Sequence, residues 1–453
     1  MSTNRRNFLK KSGLATAASM IGFVGSAAAA MHEEKVINQQ EWSRKKNPVV
    51  IIRTSWGDTN IGDQGHTPGL IALLYQYVPG VQIILWHGKD VPETEKQMLQ
   101  NYPDVKIVHG KFYEPEKPFE GPLKEAFDKA DLFVFNSGMA MNFGLYGHDW
   151  AGAMSGLTAF VWCREHGIPF GIYGQSFDKF EHPSMEIYRN VMSQAAFVYC
   201  RDGESLKFLQ ENKFRTPVLE FGPDAVFGIN IRDEEKGLAY MKEAGLEEKK
   251  FLAVITLTNT PPIGSKGDPL NPVNRSPLQK KQDEDRMANV REMIIQWVRN
   301  TGYKVLLAPE ANKEMQPAKE WVYDQLPEDV QSKVVWRSAF WNVSEAMSVY
   351  ARAHSIFGME PHSLIMGLTM GVPIIHAWPP SHGRKCFMFR DIGLPEWLFP
   401  VDESKAADWT NVLMQNYNNY QVAKDKVAKA MQFVHARQKD TMQVINKALQ
   451  QKV

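Results

Sequence analysis

Three stretches of the sequence combine glycine or proline with charged side chains in spacings that suit substrate chemistry. The first, residues 55–69, carries four glycines together with Asp58 and Asp63. Glycine lets the backbone approach a ligand closely, and the two carboxylates suit sugar hydroxyls as hydrogen-bond acceptors or as a general base. Each aspartate is equally suited to cap the turn and helix that follow. The stretch therefore predicts a loop from Ser55 to Gly69 ahead of a helix from Leu70 to Tyr77, with aspartates that either bind a sugar or cap that helix.

The second stretch, residues 355–375, has the pattern of a strand, a tight turn, a helix, a glycine cap and a strand. Pro361 suits the first helical position, and Gly371 suits the C-terminal cap. His362 then lies in the first helical turn, where the helix N-terminus disfavours the protonated ring. Such a histidine can donate to an anionic ligand or shuttle a proton. A structural histidine with satisfied hydrogen bonds is the competing interpretation.

The third stretch, residues 379–390, follows the last strand-like run and holds Arg384 and Lys385. Two cationic side chains at the carboxyl end of a strand can bind a carboxylate or a phosphate, and arginine is favoured for bidentate hydrogen bonding. A solvated surface charge pair is the alternative, and the charges by themselves favour it.

The elements that must position these stretches alternate between β-branched runs and helical segments, which is typical of βαβ units on a parallel sheet. Two successive blocks of this kind predict an α/β protein with two Rossmann-like domains, residues 48–245 and 246–405, facing each other across a cleft. A long, largely helical segment, residues 406–453, follows them. Residues 258–283 are rich in proline, asparagine and glycine and predict a long loop or lid. Ligands of open α/β sheets bind beyond the carboxyl ends of the strands, so the three stretches should line the cleft.

The first thirty residues have the pattern of a cleavable export signal. Arg5 and Arg6 are followed by Phe-Leu-Lys, which is the twin-arginine pattern. Residues 13–27 are apolar but shorter than the ~20 residues that span a bilayer, and Ala28–Ala30 supplies the small residues of a cleavage site. The pattern predicts residues 1–30 as the signal and 31–47 as a lead-in. It also predicts contact with the twin-arginine translocase and a periplasmic or otherwise extracytoplasmic protein without a membrane span. An uncleaved anchor is the alternative.

The overall composition is ordinary for a globular protein, with 43% hydrophobic and 23% charged residues. A net charge of +1 gives no reason to expect a nucleic acid partner. The three cysteines, Cys163, Cys200 and Cys386, have neither CxxC spacing nor a nearby histidine cluster, so no metal site is predicted. They are interpreted as small buried residues, with a disulfide between two of them as the alternative.

Five short motifs, in order along residues 48–400, resemble those of the polysaccharide pyruvyl transferase family. Each is weak alone, and their order and spacing carry the resemblance. The motifs are Asn60-Ile61-Gly62-Asp63, Arg201-Asp202-Gly203-Glu204-Ser205, Pro223-Asp224-Ala225-Val226-Phe227, His362 with Gly371-Val372-Pro373, and Lys385 ahead of residues 389–394.

The resemblance implies a GT-B-like fold and the transfer of the enolpyruvyl unit of phosphoenolpyruvate to sugar hydroxyls of a polysaccharide, as a pyruvate ketal. It implies no cofactor beyond this donor substrate. The roles that it implies are catalysis by His362 and Asp63, donor binding by Arg384, Lys385 and Arg201, and acceptor binding by Asp58, Asn60 and Gly62.

One position departs from the family, because Glu360 stands where the family has an arginine before the helix. The exchange removes a charge-assisted partner for a donor carboxylate and adds repulsion. Phosphoenolpyruvate is also a cytoplasmic metabolite, whereas the signal predicts export. Two further hypotheses therefore stay open. One is a divergent enzyme that acts on an extracytoplasmic glycan with another donor or by hydrolysis. The other is a non-catalytic saccharide-binding protein whose tryptophans, Trp56, Trp86, Trp150 and Trp378, stack on sugar rings.

Overall fold

A computed structural model describes six ranges of the chain, all within one compact unit: 47–54, 57–88, 91–112, 118–143, 150–256 and 277–450. The predicted export signal, most of the lead-in and most of the predicted lid lie outside these ranges. Within them, every helix is too short or too polar to span a bilayer.

The first half of the chain forms a seven-stranded sheet in the order β3-β2-β1-β4-β5-β6-β7, and each pair of neighbours is parallel. The strands are β1 (Val49–Arg53), β2 (Gln82–His87), β3 (Lys106–His109), β4 (Leu132–Phe135), β5 (Phe170–Gln175), β6 (Phe197–Cys200) and β7 (Leu219–Phe221). The helices are α1 (Ile61–Tyr77), α2 (Pro92–Asn101), α3 (Pro122–Lys129), α4 (Trp150–Glu165), α5 (Ser184–Met192), α6 (Gly203–Glu211) and α7 (Glu234–Glu243).

The second half forms a six-stranded parallel sheet in the order β10-β9-β8-β11-β12-β13. Its strands are β8 (Phe251–Ile255), β9 (Lys304–Leu307), β10 (Val334–Trp336), β11 (Ser355–Gly358), β12 (Ile374–Trp378) and β13 (Leu398–Pro400). The helices are α8 (Pro277–Thr301), α9 (Met315–Trp321), α10 (Glu328–Gln331), α11 (Val343–Tyr350), α12 (Pro361–Thr369), α13 (Met388–Asp391), α14 (Ala406–Asn418) and α15 (Tyr420–Ala448). Short 3₁₀ segments lie at Ala225–Gly228, Asn312–Glu314, Tyr323–Gln325, Pro380–Phe387 and Pro395–Trp397.

The two sheets share one strand order, and this order confirms the predicted α/β class. In each sheet the chain starts at a central strand, β1 or β8, moves to one edge, and then returns to the other side at β4 or β11. Such a reversal opens a crevice at the carboxyl ends of the two central strands, where helices leave on opposite faces. Central strands are buried on both faces, which explains apolar runs such as Val50–Ile52 and Phe251–Ile255.

The predicted C-terminal helix is present as two helices, α14 and α15, which meet at Asn419. The second of them packs against the first half of the chain. The Thr441 hydroxyl lies 3.2 Å from the Tyr173 hydroxyl, and the Asn446 side chain donates to the Tyr77 carbonyl at 2.8 Å. The end of the chain therefore ties the two halves together.

The prediction of a loop up to Gly69 is wrong, because α1 already begins at Ile61. Several glycines of the stretch lie on the surface of this helix, where they allow close packing. A Cβ at Gly69 would lie 1.9 Å from the Ala225 carbonyl oxygen, so only glycine lets α1 rest on the 3₁₀ segment at Ala225–Gly228. Tertiary packing thus overrides the local preference of glycine for loops.

Candidate functional site in the cleft

The start of α1 joins the two halves of the chain. The Asn60 side-chain oxygen accepts from the N–H groups of Gly62 at 2.7 Å and Asp63 at 3.2 Å, which caps the helix. The Ile61 N–H donates to the Glu310 carbonyl, beyond the end of β9, at 2.9 Å. A Cβ at Gly62 would lie 2.3 Å from Nδ1 of His362. Asn60 and Gly62 therefore position a histidine of the other half.

The two aspartates of the predicted acceptor loop have different surroundings. Asp58 accepts the Thr94 N–H at 3.1 Å and also the Thr94 hydroxyl, so its carboxylate caps α2. Asp63 lies half-buried in the first turn of α1. Within the described ranges its carboxylate makes no ion pair, and its backbone N–H is held by Asn60. Neither aspartate therefore caps the helix that follows, because Asn60 caps α1 and Asp58 caps the more distant α2. Asp63 has a carboxylate available to a ligand.

A buried network, here named the Asp224 cluster, consists of His66, Ser176, Arg201 and Asp224. His66 Nδ1 lies 3.1 Å from Asp224 Oδ1, Arg201 Nη1 donates to Asp224 Oδ2 at 2.5 Å, and Arg201 Nε donates to Ser176 Oγ at 2.8 Å. Burial works against the charged carboxylate, but the contacts with His66 and Arg201 prevail and hold the pKa of Asp224 well below its usual range. Burial also lowers the pKa of His66, so the neutral ring donates from Nδ1 to Asp224.

His362 meets this cluster from the second half of the chain. Its Nδ1 lies 2.9 Å from Glu310 Oε1, while the other carboxylate oxygen accepts the Ser363 N–H at 2.7 Å and the Ser363 hydroxyl at 2.8 Å. The rings of His362 and His66 are 4.8 Å apart and almost perpendicular. Nε2 of His362 is buried and has no hydrogen-bond partner within the part of the chain that the structure describes. We name His66 and His362 the histidine pair; each member is oriented by a carboxylate.

A second group, here named the Glu360 cluster, consists of Glu360, His376, His382 and Lys385. Glu360 lies 3.4 Å from Nε2 of His382 and 3.9 Å from Nζ of Lys385. Burial opposes its charge, yet these two neighbours hold the pKa of Glu360 well below its usual range. Burial lowers the pKa of His382, and burial, followed by the charge of His382, lowers the pKa of His376 to about 3. Lys385 is thus matched to the residue that replaces the family arginine.

Glu314 adds a carboxyl group with a raised pKa to this region. One of its oxygens accepts the N–H groups of Glu310 at 2.9 Å and Ala311 at 3.0 Å, and the other oxygen is buried without a hydrogen-bond partner among the described residues. Burial and the charge of Glu360 raise the pKa of Glu314 well above its usual value. A raised pKa brings a carboxylic acid closer to the range in which it can act as a proton donor.

The remaining predicted donor residue, Arg384, joins the two halves. Its Nη1 donates to the carbonyl oxygens of Phe177 at 2.9 Å and Asp178 at 2.7 Å, and its backbone N–H donates to Asp178 Oδ1 at 2.8 Å. The guanidinium also stacks on Phe208, with 4.2 Å between its carbon and the ring centre. The structure therefore brings Arg201 and His362 together through Asp224 and His66, and it places Arg384 in a contact between the halves.

Three residues of the cleft offer ligand atoms for a metal ion: His66, Asp224 and His362 have such atoms within 4.8 Å of one another. The arginine of the same network argues against an ion there. Arg201 is already paired with Asp224, and the carboxylate also accepts the Val226 N–H at 2.8 Å. A divalent ion would have to displace one of these donors and approach a guanidinium. The cluster is better explained as a hydrogen-bonded network.

Sequence reasoning missed His66, Glu310 and Glu314. His66 is four residues after Gly62, so a helix starting at Ile61 places both on one face, toward His362. Glu310 and Glu314 follow the carboxyl end of β9, where α/β proteins bind ligands. A search for charged residues just after each strand could have found the two glutamates. Finding His66 required knowing that α1 begins at Ile61.

Comparison with known proteins supports the same architecture. The sheet order and long C-terminal helix place the chain among GT-B-like proteins. UDP-GlcNAc 2-epimerase from Neisseria meningitidis, bound to UDP-GlcNAc, matches with a TM-score of 0.54 and 9% identity over 88% of this chain and 100% of that chain. Medicago truncatula UGT71G1, complexed with UDP-glucose, matches with a TM-score of 0.51 and 12% identity over 89% of this chain and 99% of that chain. These likenesses concern the fold alone.

Comparison of the sequence with family models assigns the chain to a family. The model of the polysaccharide pyruvyl transferase family matches residues 60–379, which is more than half of the chain, and the chain belongs to this family. None of the curated proteins matches the chain significantly. The matched range includes all residues of the histidine pair and the Asp224 cluster.

Proposed function

We propose that the protein transfers the enolpyruvyl unit of phosphoenolpyruvate to hydroxyls of a saccharide, with the chemistry in the cleft at the histidine pair. The observation that carries this proposal is the buried Nε2 of His362, which has no hydrogen-bond partner among the residues that the structure describes, while Glu310 fixes Nδ1. An unsatisfied polar atom in a buried position requires an explanation, and proton exchange with a bound substrate supplies one.

The addition step of this reaction requires two proton movements. Addition of a sugar hydroxyl to the enol carbon needs a base for the hydroxyl proton and an acid that protonates the methylene carbon. His66 donates from Nδ1 to Asp224, so its other ring nitrogen is an acceptor and suits the base. His362 Nε2 and Glu314, whose pKa is raised, are the two groups that suit the acid. The C–O bond to phosphate then breaks, a second sugar hydroxyl bonds to the same carbon, and its proton leaves with the departing phosphate to give the ketal.

For the acceptor side we propose Asp63. It is three residues before His66 on α1, and residues three apart on a helix are neighbours on its surface. Its available carboxylate can accept from sugar hydroxyls. Asn60 and Gly62 contribute by holding the helix start and His362, and Asp58 contributes by holding α2.

Transfer is tested with the purified protein, phosphoenolpyruvate and a panel of neutral and acidic oligosaccharides. Phosphate release and the mass gain of one ketal are the measurements. We expect His362→Gln to lower the rate by about 10²- to 10⁴-fold, the usual contribution of general acid–base catalysis. His435→Gln, which alters an exposed histidine of α15, is the matched control and should retain the wild-type rate. A His362→Gln enzyme that is folded and fully active would overturn the proposed role of the pair.

A second candidate is an enzyme of the same fold that uses a less anionic donor. It is favoured by Glu360, because this ionised carboxylate already pairs with Lys385 and would repel a donor carboxylate. Glycan modification that proceeds without phosphoenolpyruvate, and still depends on His362, would identify this candidate.

Export through the twin-arginine pathway is a separate proposal, supported by Arg5, Arg6 and the residues that follow them. It places the mature protein outside the cytoplasm, where the donor must then be supplied. Cell fractionation tests it: a chain with Arg5→Lys and Arg6→Lys should remain in the cytoplasm, and equal export of both chains would contradict the proposal.

A further inference from the structure

A second cluster of histidine and carboxylate side chains lies at one side of the first sheet, separate from the histidine pair. His87 is the last residue of β2 and His109 is the last residue of β3, and the two are register partners in the parallel pair. Register partners project from the same face of a sheet. Glu95, in the first turn of α2, reaches the same place, with Oε1 3.2 Å from Nε2 of His109.

The three side chains converge as metal ligands do. The two imidazole rings are perpendicular with centres 6.4 Å apart, and one ligand atom from each of the three residues lies within 4.8 Å of the others. Around a tetrahedral zinc ion with bonds of about 2.0–2.1 Å, ligand atoms are about 3.4 Å apart. Side-chain rotations that move the ligand atoms by about 1 Å therefore suffice to bring them to zinc-binding distances, without movement of the strands.

The surroundings combine rigidity with access. The end of β3 is fixed by the Trp86 side chain, which donates to the Gly110 carbonyl at 2.9 Å, and the start of α2 is fixed by Asp58 through Thr94. The side chains of His109 and Glu95 are 38% and 20% exposed, whereas His87 is buried. An ion can therefore enter from solvent, and water can complete its coordination.

We propose that His87, Glu95 and His109 form a binding site for a divalent transition-metal ion such as Zn²⁺. Two imidazoles and one carboxylate, with room for water, are a ligand set used by such ions. Cysteine spacing gave no indication of this site, because its ligands are histidines from separate strands. The site is independent of the proposed transfer reaction, since it shares no residue with the histidine pair.

The test uses the full-length protein after chelator treatment and desalting. Zinc chloride is titrated while thermal unfolding is followed, Co²⁺ is added to record its visible absorption, and bound metal is counted by mass spectrometry. We expect one ion per chain and a rise in melting temperature, since an ion that binds only the folded state stabilises it. His109→Gln and Glu95→Gln should each weaken binding by at least about tenfold.

The controls separate this site from other histidines. His435→Gln, on the exposed side of α15, and His66→Gln, in the cleft, should bind zinc as the wild type does. Circular dichroism verifies that each variant is folded. The proposal is overturned if micromolar zinc does not bind, if the His109 and Glu95 variants bind it unchanged, or if binding is lost with His66→Gln instead.

Discussion

The Asp224 cluster and the Glu360 cluster both pair a carboxylate with a histidine and a permanent cation. The first is buried throughout, whereas Lys385 and Glu360 of the second are 13% and 12% exposed. In the Asp224 cluster the contacts are 2.5–3.1 Å long, and both carboxylate oxygens are used. In the Glu360 cluster the contacts are 3.4 and 3.9 Å, and the Nδ1 atoms of His376 and His382 have no hydrogen-bond partner in the described ranges. The first is a closed network that fixes its members, whereas the second keeps hydrogen-bonding capacity that a ligand can use.

The largest effect on stability should come from breaking the ion pair of the Asp224 cluster. Arg201→Met leaves Asp224 buried without its cation, which typically costs about 3–5 kcal/mol of unfolding free energy. Urea denaturation measures the loss. Ser176→Ala removes two hydrogen bonds, one accepted from Arg201 and one donated to Asp202, and should cost a smaller amount of about 2 kcal/mol. Equal costs for the two variants would show that the pairing of Arg201 and Asp224 is not what stabilises the cluster.

A smaller effect concerns acid stability and the Glu360 cluster. Burial, followed by the charge of His382, lowers the pKa of His376 from 6.5 to about 3. Between these pH values the unfolded chain binds a proton that the folded chain does not, so stability falls as the pH decreases from 6.5. The slope for one group is about 1.4 kcal/mol per pH unit, or about 2 kcal/mol between pH 6.5 and 5.

His376→Asn should remove this component. Urea unfolding at pH 7 and pH 5 would then show a smaller loss of stability for the variant than for the wild type, by about 2 kcal/mol. His435→Asn serves as the exposed control and should follow the wild type. Parallel losses in the wild type and His376→Asn would mean that His376 is already protonated in the folded protein.

The smallest predicted effect concerns ligand binding and tests whether the Glu360 cluster is open to a ligand. Glu360→Gln removes a negative charge beside Lys385, so an anionic donor should bind better. We expect the KM for phosphoenolpyruvate to fall about tenfold, which corresponds to about 1.4 kcal/mol. Glu165→Gln, at an exposed position of α4, is the matched control. A higher KM in Glu360→Gln would instead indicate that Glu360 holds Lys385 in its binding position.

Much of the fold followed from local pattern. Apolar runs such as Val50–Ile52 predicted buried parallel strands, and their alternation with helical segments predicted the two sheets. The start of α1 was predicted wrongly because glycine and proline normally break helices, and nothing local indicates that Gly62 and Gly69 face His362 and Ala225. These contacts join segments far apart in the chain, so the helix is stabilised by packing that local propensity does not contain.

The sequence by itself determined the two α/β domains, the family motifs and the position of His362 at the start of a helix beyond a strand end. Only the tertiary structure decided which oppositely charged side chains form ion pairs. Arg201 pairs with Asp224, 23 residues away, whereas Arg384 meets Asp178 across 206 residues and Lys385 meets Glu360. Ion pairs form between side chains that packing brings within a few ångströms, and that distance depends on how the loops of both halves meet in the cleft.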